Sequence, residues 1–142
     1  MAYLRFQRMI HTLELFDQSG NSLGSWDAYN NVDSHSRGIW PDGQYAFSYW
    51  VPHKGLGVDS AYGTHGIYVF QVPGRDGMGV HAGRKTVGKL KGPQHPTMGC
   101  VRTTEDAMTL IQSTHEGGDK LTYIQLVEAI GDFPQHADPH AA

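Results

Sequence analysis

The sequence predicts a mostly β fold, a β-sandwich or a set of mixed sheets, with one main helix. Eighteen glycines and seven prolines among 142 residues, with 39% hydrophobic residues overall, favour many turns between short strands over a helical bundle. Short runs of alternating, β-branched or aromatic residues recur between these turns, whereas only one segment has the pattern of a helix. Together these features indicate a small β domain that carries a single helix.

The strands are predicted where apolar and polar residues alternate, or where β-branched and aromatic residues cluster between turn residues. A Ser19-Gly20 turn makes the first two strands a hairpin, and the polar residues 30–38 form a loop. Six segments meet these criteria, namely residues 12–15, 23–29, 45–51, 67–72, 77–81 and 121–127.

The helix is predicted over residues 104–115, directly after the only cysteine. Ala107, Leu110 and Ile111 share one face, and Gly117-Gly118 ends the pattern. Thr103 lies three residues before Asp106, which resembles an acidic capping box and predicts the helix start at that threonine.

The length suits one domain, because 142 residues can bury a core without disulfides and no repeat or linker divides them. We expect a single domain over residues 1–130 and a flexible tail over residues 131–142. His136 and His140 in that tail reflect polar composition, and neither a metal site nor a cofactor is expected. No segment resembles a membrane span, and residues 1–20 lack the apolar run of a signal peptide.

The charges are unevenly distributed along the chain. A net charge of −3 gives a nucleic-acid partner no electrostatic support. Residues 75–102 nevertheless contain six cations and a single acid, Asp76. This cationic segment is either an ordinary solvated loop or the rim of a site for a substrate that bears carboxylates. The cations are Arg75, Arg84, Lys85, Lys89, Lys91 and Arg102.

Cys100 is the candidate nucleophile. It follows Gly99 in a glycine-rich, basic context, whereas a structural cysteine is expected within a regular apolar pattern. The predicted helix start and nearby Arg102 would both stabilise a thiolate, so we expect the pKa of this thiol to fall toward neutrality. His81 ends a short predicted strand and is the candidate general base, although a lone histidine at such a place is more often structural.

The pairing of these residues resembles a known family. The segment from His81 to Arg102 is similar to the signature of YkuD-type L,D-transpeptidases. It consists of His81, fifteen further residues, and then Thr97-Met98-Gly99-Cys100-Val101-Arg102. That signature has a histidine, a loop of similar length, Ser/Thr, usually a second histidine, Gly, Cys, an aliphatic residue, and Arg or Asn. Met98 stands where the second histidine is usual.

The resemblance implies an L,D-transpeptidase-like fold and a peptidoglycan-modifying enzyme. It implies that Cys100 attacks a tetrapeptide stem between the third residue and the terminal D-alanine, forms an acyl-thioester, and passes the acyl group to an amine or to water. Backbone N–H groups of Gly99 and Cys100 would hold the oxyanion. Candidate substrate-binding residues are Thr97 and Arg102, although Arg102 could instead brace the loop. Tyr62, His65 and Tyr68 are either further groove residues or ordinary packing and loop residues.

Two other functions fit the same residues. The domain could be an inactive module that binds cell-wall peptides, which Met98 permits. It could also be an antibacterial effector that attacks a competitor's wall, in which case a small immunity protein would be its partner. The resemblance implies a periplasmic or cell-wall location, which this chain would reach by non-classical export or after losing a leader.

Overall fold

The computed structural model describes residues 1–34, 36–52 and 57–128. Within them, eight strands close into one mixed barrel in the order β1-β2-β3-β7-β6-β5-β4-β8. The mostly β prediction with one α-helix is therefore confirmed. The elements are β1 (Ala2–Gln7), β2 (Thr12–Phe16), β3 (Ser22–Tyr29), β4 (Gly43–Val51), β5 (Ile67–Phe70), β6 (Gly79–His81), β7 (Val101–Thr103), α1 (Glu105–Glu116) and β8 (Leu121–Val127), with single turns of 3-10 helix at Arg8–Ile10 and Gly92–Gln94.

The core follows from strand alternation. Ala2, Leu4 and Phe6 of β1 are fully buried, and on neighbouring β2 Leu13 and Leu15 are buried in the same way. Successive side chains of a strand point to opposite faces, so these residues line one side of the barrel wall. Trp40, Tyr68, Phe70, Met108, Ile111, Ile124 and Leu126 complete the same hydrophobic cluster.

Strand β1 was absent from the sequence prediction although its residues alternate. It pairs antiparallel with β2 and parallel with β8, so it joins the first hairpin to the closing strand. The predicted flexible tail, residues 131–142 with His136 and His140, lies outside the described residues.

The helix begins one residue later than the capping pattern predicted. Thr104 is the N-cap, and its hydroxyl accepts a hydrogen bond from the Ala107 N–H at 3.1 Å. Thr103 instead ends strand β7, where it pairs with Ala28 and donates its hydroxyl to the Asp27 carbonyl. A strand therefore separates Cys100 from the helix, so the thiol does not lie at the helix N-terminus.

Two adjacent parallel strands bring the candidate catalytic residues together. The register of β6 and β7 places Val80 beside Val101 and His81 beside Arg102. Cys100 immediately precedes β7, which puts it next to the first residue of β6, Gly79. None of the described helices has the length and apolar character needed to cross a bilayer.

Candidate active site

The Cys100 thiol lies against the backbone at the start of β6. The Gly79 N–H donates to Cys100 Sγ at 3.4 Å, and Sγ lies 3.6 Å from the Gly77 carbonyl oxygen. The cysteine is partly exposed. Gly99 before it has φ 142°, and a Cβ there would collide with the Arg75 guanidinium and crowd Met78. Glycine is favoured at this position, because other residues adopt this positive φ only with strain, whereas the ends of the Arg75 and Met78 side chains could shift.

The electrostatics of the thiol differ from the sequence prediction. Burial raises the pKa of Cys100, and this effect outweighs the opposing effects of the Gly79 N–H and of Arg102 and Arg75. The predicted lowering toward neutrality is wrong in this structure. It depended on a helix N-terminus that lies beyond β7, and desolvation disfavours a thiolate. The resting sulfur is therefore a neutral thiol that needs a base.

His81 is buried and held in one orientation. Its Nδ1 lies 2.7 Å from the Ala82 carbonyl oxygen, and the ring is 2% exposed. A carbonyl can only accept, so Nδ1 carries the hydrogen and Nε2 is the basic nitrogen of the neutral ring. The edge of Tyr62 packs against this imidazole with 4.7 Å between ring centroids.

One pocket contains both candidate catalytic side chains. Its volume is about 260 Å³, and Cys100, His81 and Tyr62 all line it. The resting structure thus places a thiol, an imidazole and an aromatic ring around one cavity. The other lining residues are Asp33, Ala61, Arg84, His95, Pro96, Thr97, Met98 and Arg102.

Arg102 holds backbone segments together. It is 3% exposed, and its guanidinium donates to the carbonyls of His95 at 2.6 Å, Ala61 at 3.0 Å and Pro96 at 3.1 Å. Its Nε also lies 3.4 Å from the Ala82 carbonyl oxygen. Burial, followed by the nearby charge of Arg84, lowers the pKa of Arg102 to about 10. Of the two roles considered for Arg102, these contacts favour bracing the loops.

Thr97 shapes the turn that carries the thiol. Its hydroxyl accepts from the Gly99 N–H at 3.0 Å and donates to the Cys100 carbonyl at 2.8 Å. The side chain is 6% exposed. The Gly99 N–H, predicted as an oxyanion donor, is therefore already bonded to this hydroxyl. By contrast, none of the hydrogen bonds found within the described residues uses the Cys100 N–H.

Two candidate substrate-binding residues lie away from the thiol pocket. His65 lines a separate cavity with Thr109, and its Nδ1 lies 3.2 Å from Glu105 Oε1. Tyr68 is fully buried, stacks on Trp50, and has its phenol pKa raised by burial. In this structure His65 ties a loop to α1, and Tyr68 belongs to the core.

Asn30 also contacts the nucleophile turn, although it lies seventy residues before Cys100 and was not among the predicted site residues. Its side-chain amide donates to the carbonyl of Gly99 at 2.7 Å and to that of Cys100 at 3.0 Å. The residue was predicted only as part of a polar loop, and nothing in that loop distinguishes it from its neighbours. The Ala82 carbonyl that orients His81 was missed for the same reason, since any residue supplies a carbonyl.

Metal ligation finds no support in the described part of the chain. Within it, no three histidine, cysteine, aspartate or glutamate side chains are grouped closely enough to hold an ion.

Known structures share this fold. The chain superposes on Bd1075 from Bdellovibrio bacteriovorus with a TM-score of 0.67 at 16% identity, covering 90% of this chain and 48% of that one. An L,D-transpeptidase (residues 123–326) from Xylanimonas cellulosilytica gives a TM-score of 0.56 at 17% identity, covering 89% and 60%. L,D-transpeptidase 1 from Mycobacterium tuberculosis gives 0.52 at 17% identity, covering 89% and 61%.

The chain therefore has an L,D-transpeptidase-like fold, as the sequence analysis expected. It spans about half to three fifths of the length of these structures. No protein-family model and no curated protein matches the sequence.

The raised pKa of Cys100 predicts how the thiol reacts with iodoacetamide as pH changes. Only the thiolate reacts, so the midpoint of the rate profile in the folded protein should lie at higher pH than in the same protein unfolded in urea. Cys100 is the only cysteine, so one measurement of residual thiol follows the reaction. A folded-state midpoint below the urea value would show that the folded protein favours the thiolate and would contradict this account.

Proposed function

We propose that this chain is a cysteine acyltransferase of the L,D-transpeptidase type that acts on peptidoglycan tetrapeptide stems. The observation that carries the proposal is the shared pocket of Cys100 and His81 in an L,D-transpeptidase-like fold, where His81 ends β6 and Cys100 directly precedes the adjacent parallel strand β7. A thiol that shares a pocket with an imidazole, whose other nitrogen is held by a fixed acceptor, suits nucleophilic catalysis.

The first half of the reaction acylates the enzyme. His81 Nε2 takes the Sγ proton, and the sulfur forms a bond to the substrate carbonyl carbon while the C=O electron pair moves to oxygen. The oxyanion is held by the Cys100 N–H, a type of interaction commonly worth about 3 kcal/mol of barrier. The tetrahedral centre collapses, the C–N bond breaks, and His81 Nε2–H protonates the departing D-alanine amine.

The raised thiol pKa sets the timing of these steps. In the resting protein the proton stays on sulfur, because burial disfavours the thiolate. Transfer to His81 therefore accompanies attack on the substrate, and the imidazolium that forms is stabilised through its Nδ1–H bond to the Ala82 carbonyl. His81 thus acts as the base in the attack and as the acid when the amine leaves.

The pocket also suits a substrate that carries one negative and one positive group. Arg84 and Asp33 line it together with the thiol. The third residue of the stems implied by the resemblance, diaminopimelate, bears a carboxylate and an amine. Arg84 is the better candidate for the carboxylate, because the guanidinium of Arg102 already donates to four backbone carbonyls.

The second half of the reaction returns the thiol. An amine or water attacks the thioester carbon and gives a proton to His81 Nε2. The tetrahedral centre then collapses, the C–S bond breaks, and His81 Nε2–H returns the proton to the departing sulfur. Water gives carboxypeptidase activity, a free D-amino acid gives exchange, and an amine of another stem gives a cross-link. The balance depends on which acceptor is held closest to the thioester.

Replacing either catalytic residue should abolish turnover and leave the fold intact. Cys100→Ala, Cys100→Ser and His81→Ala should each lower the rate of tetrapeptide cleavage by about 10³-fold or more. His11→Asn is the matched control, because His11 stacks on Tyr29 outside the pocket. Circular dichroism checks folding, and cleavage by folded Cys100→Ala at the wild-type rate would refute the proposed nucleophile.

Purified tetrapeptide muropeptides test the activity itself. We expect loss of D-alanine with muropeptide alone, and exchange of the terminal residue when excess D-methionine is added, because a small acceptor needs little surface to be held near the thioester. Mass spectrometry distinguishes the products. Stem dimers as the main product under both conditions would make cross-linking the main activity, and unchanged muropeptides would overturn the proposal.

A further inference from the structure

The Asn30 side chain is buried and uses every part of its amide. It is 7% exposed, and its Nδ2 donates to the Gly99 carbonyl at 2.7 Å and to the Cys100 carbonyl at 3.0 Å. Its Oδ1 accepts from the Trp40 N–H at 2.8 Å and from Arg8 Nη1 at 2.9 Å. Two acceptors face the NH₂ group and two donors face the oxygen, so only this orientation of the amide satisfies all four partners.

These bonds fix the peptide that joins Gly99 to Cys100. In a trans peptide the C=O and the N–H point in opposite directions across the same plane. Asn30 holds the Gly99 oxygen on the buried side of the turn. The Cys100 N–H of that same peptide therefore points away from Asn30.

The Thr97 hydroxyl fixes further backbone groups of the same turn. Thr97 accepts from the Gly99 N–H and donates to the Cys100 carbonyl. The peptide groups on both sides of the nucleophile are thus tied to side chains, and the Cys100 N–H is left out of the hydrogen bonds within the described residues. A donor beside the attacking sulfur is the group that an oxyanion needs.

We infer that Asn30 is a positioning residue, which aims the Cys100 N–H at the oxyanion formed when the thiol is acylated. The inference rests on the proposed function, since it assumes that Cys100 attacks a carbonyl. Asn30 touches neither substrate nor sulfur in this account and acts only through the peptide plane. Its loss should slow reactions that build an oxyanion and spare reactions of the same thiol that do not.

Asn30→Asp is the informative substitution, because it keeps the oxygen that Arg8 and Trp40 use and removes the donor to the two carbonyls. Asn31→Asp is the matched control. Asn31 Nδ2 also donates to a backbone carbonyl, that of Gln94 at 2.9 Å, and Gln94 is outside the nucleophile turn of residues 97–100. The carbonyl of Asn31 that accepts from the Thr97 N–H belongs to the backbone and is kept in this variant.

The readout compares two reactions of Cys100 in each protein. Acylation by p-nitrophenyl acetate, followed by nitrophenolate release over a Cys100→Ala blank, passes through an oxyanion. Alkylation by iodoacetamide displaces iodide and does not. Any change in thiolate fraction, including that caused by the new carboxylate, alters both rates equally and cancels in their ratio.

We expect Asn30→Asp to lower the ratio of acylation to alkylation by about tenfold or more, compared with about 10² to 10³ for outright loss of an oxyanion donor. Asn31→Asp should leave the ratio within about twofold of wild type. If Asn30→Asp does not fold, Asn30→Ser, which removes the amide without adding a charge, makes the same comparison.

The outcomes separate this inference from the proposed function. An unchanged ratio in a folded Asn30 variant, with wild-type Cys100 still acylated, would overturn the role of Asn30 alone. An equal fall in both rates would mean that Asn30 is merely structural, and would overturn it too. Wild-type Cys100 that is alkylated but never acylated would refute the proposed function, and this inference with it.

Discussion

The geometry of the candidate site depends on the hydrogen bonds that the buried guanidinium of Arg102 donates to backbone carbonyls. A cation taken out of water is costly unless its donors are satisfied. Here they are met by backbone carbonyls of Ala82, His95, Pro96 and Ala61. Ala61 belongs to the connection between β4 and β5, and the other three residues lie near the two ends of the connection between β6 and β7. Satisfying one charge therefore holds both connections in a single arrangement around the pocket. A lysine at this position could not reproduce the planar fork of donors.

Hydrogen bonds between side chains and backbone also fix the groups around the thiol. Asn30 and Thr97 hold the backbone of the nucleophile turn, and the Ala82 carbonyl holds His81. The site is thus built by side chains that bind backbone and by backbone that binds a side chain. Strands β6 and β7 have only three residues each. These hydrogen bonds explain how such a loop-rich region can hold a thiol and an imidazole in fixed positions around one pocket.

The sequence predicted what is encoded locally. Alternation located most strands, apolar spacing located the helix, and the Gly-Cys step with its distant histidine located the thiol and imidazole of one pocket. Strand β7 has only three residues, too few to show an alternation of apolar and polar side chains. The helix was therefore predicted to start too early, and the pKa of the thiol was predicted in the wrong direction. Asn30 and the Ala82 carbonyl act through contacts that only the tertiary fold creates. Arg102 was recognised as a candidate, but sequence could not show whether it faced substrate or backbone.

The fold alone does not establish an activity, because one architecture can host several. The three similar structures share 16 to 17% identity with this chain, so the account depends on the chemistry of the chain's own residues. Its central claim is that Cys100 carries the acyl group.

The most direct test is intact-protein mass spectrometry after brief incubation with a tetrapeptide stem and quenching in acid. The account predicts a mass gain equal to the stem minus D-alanine, localised to the peptide that contains Cys100. Released D-alanine without such an adduct at Cys100, or an adduct on another residue, would contradict it.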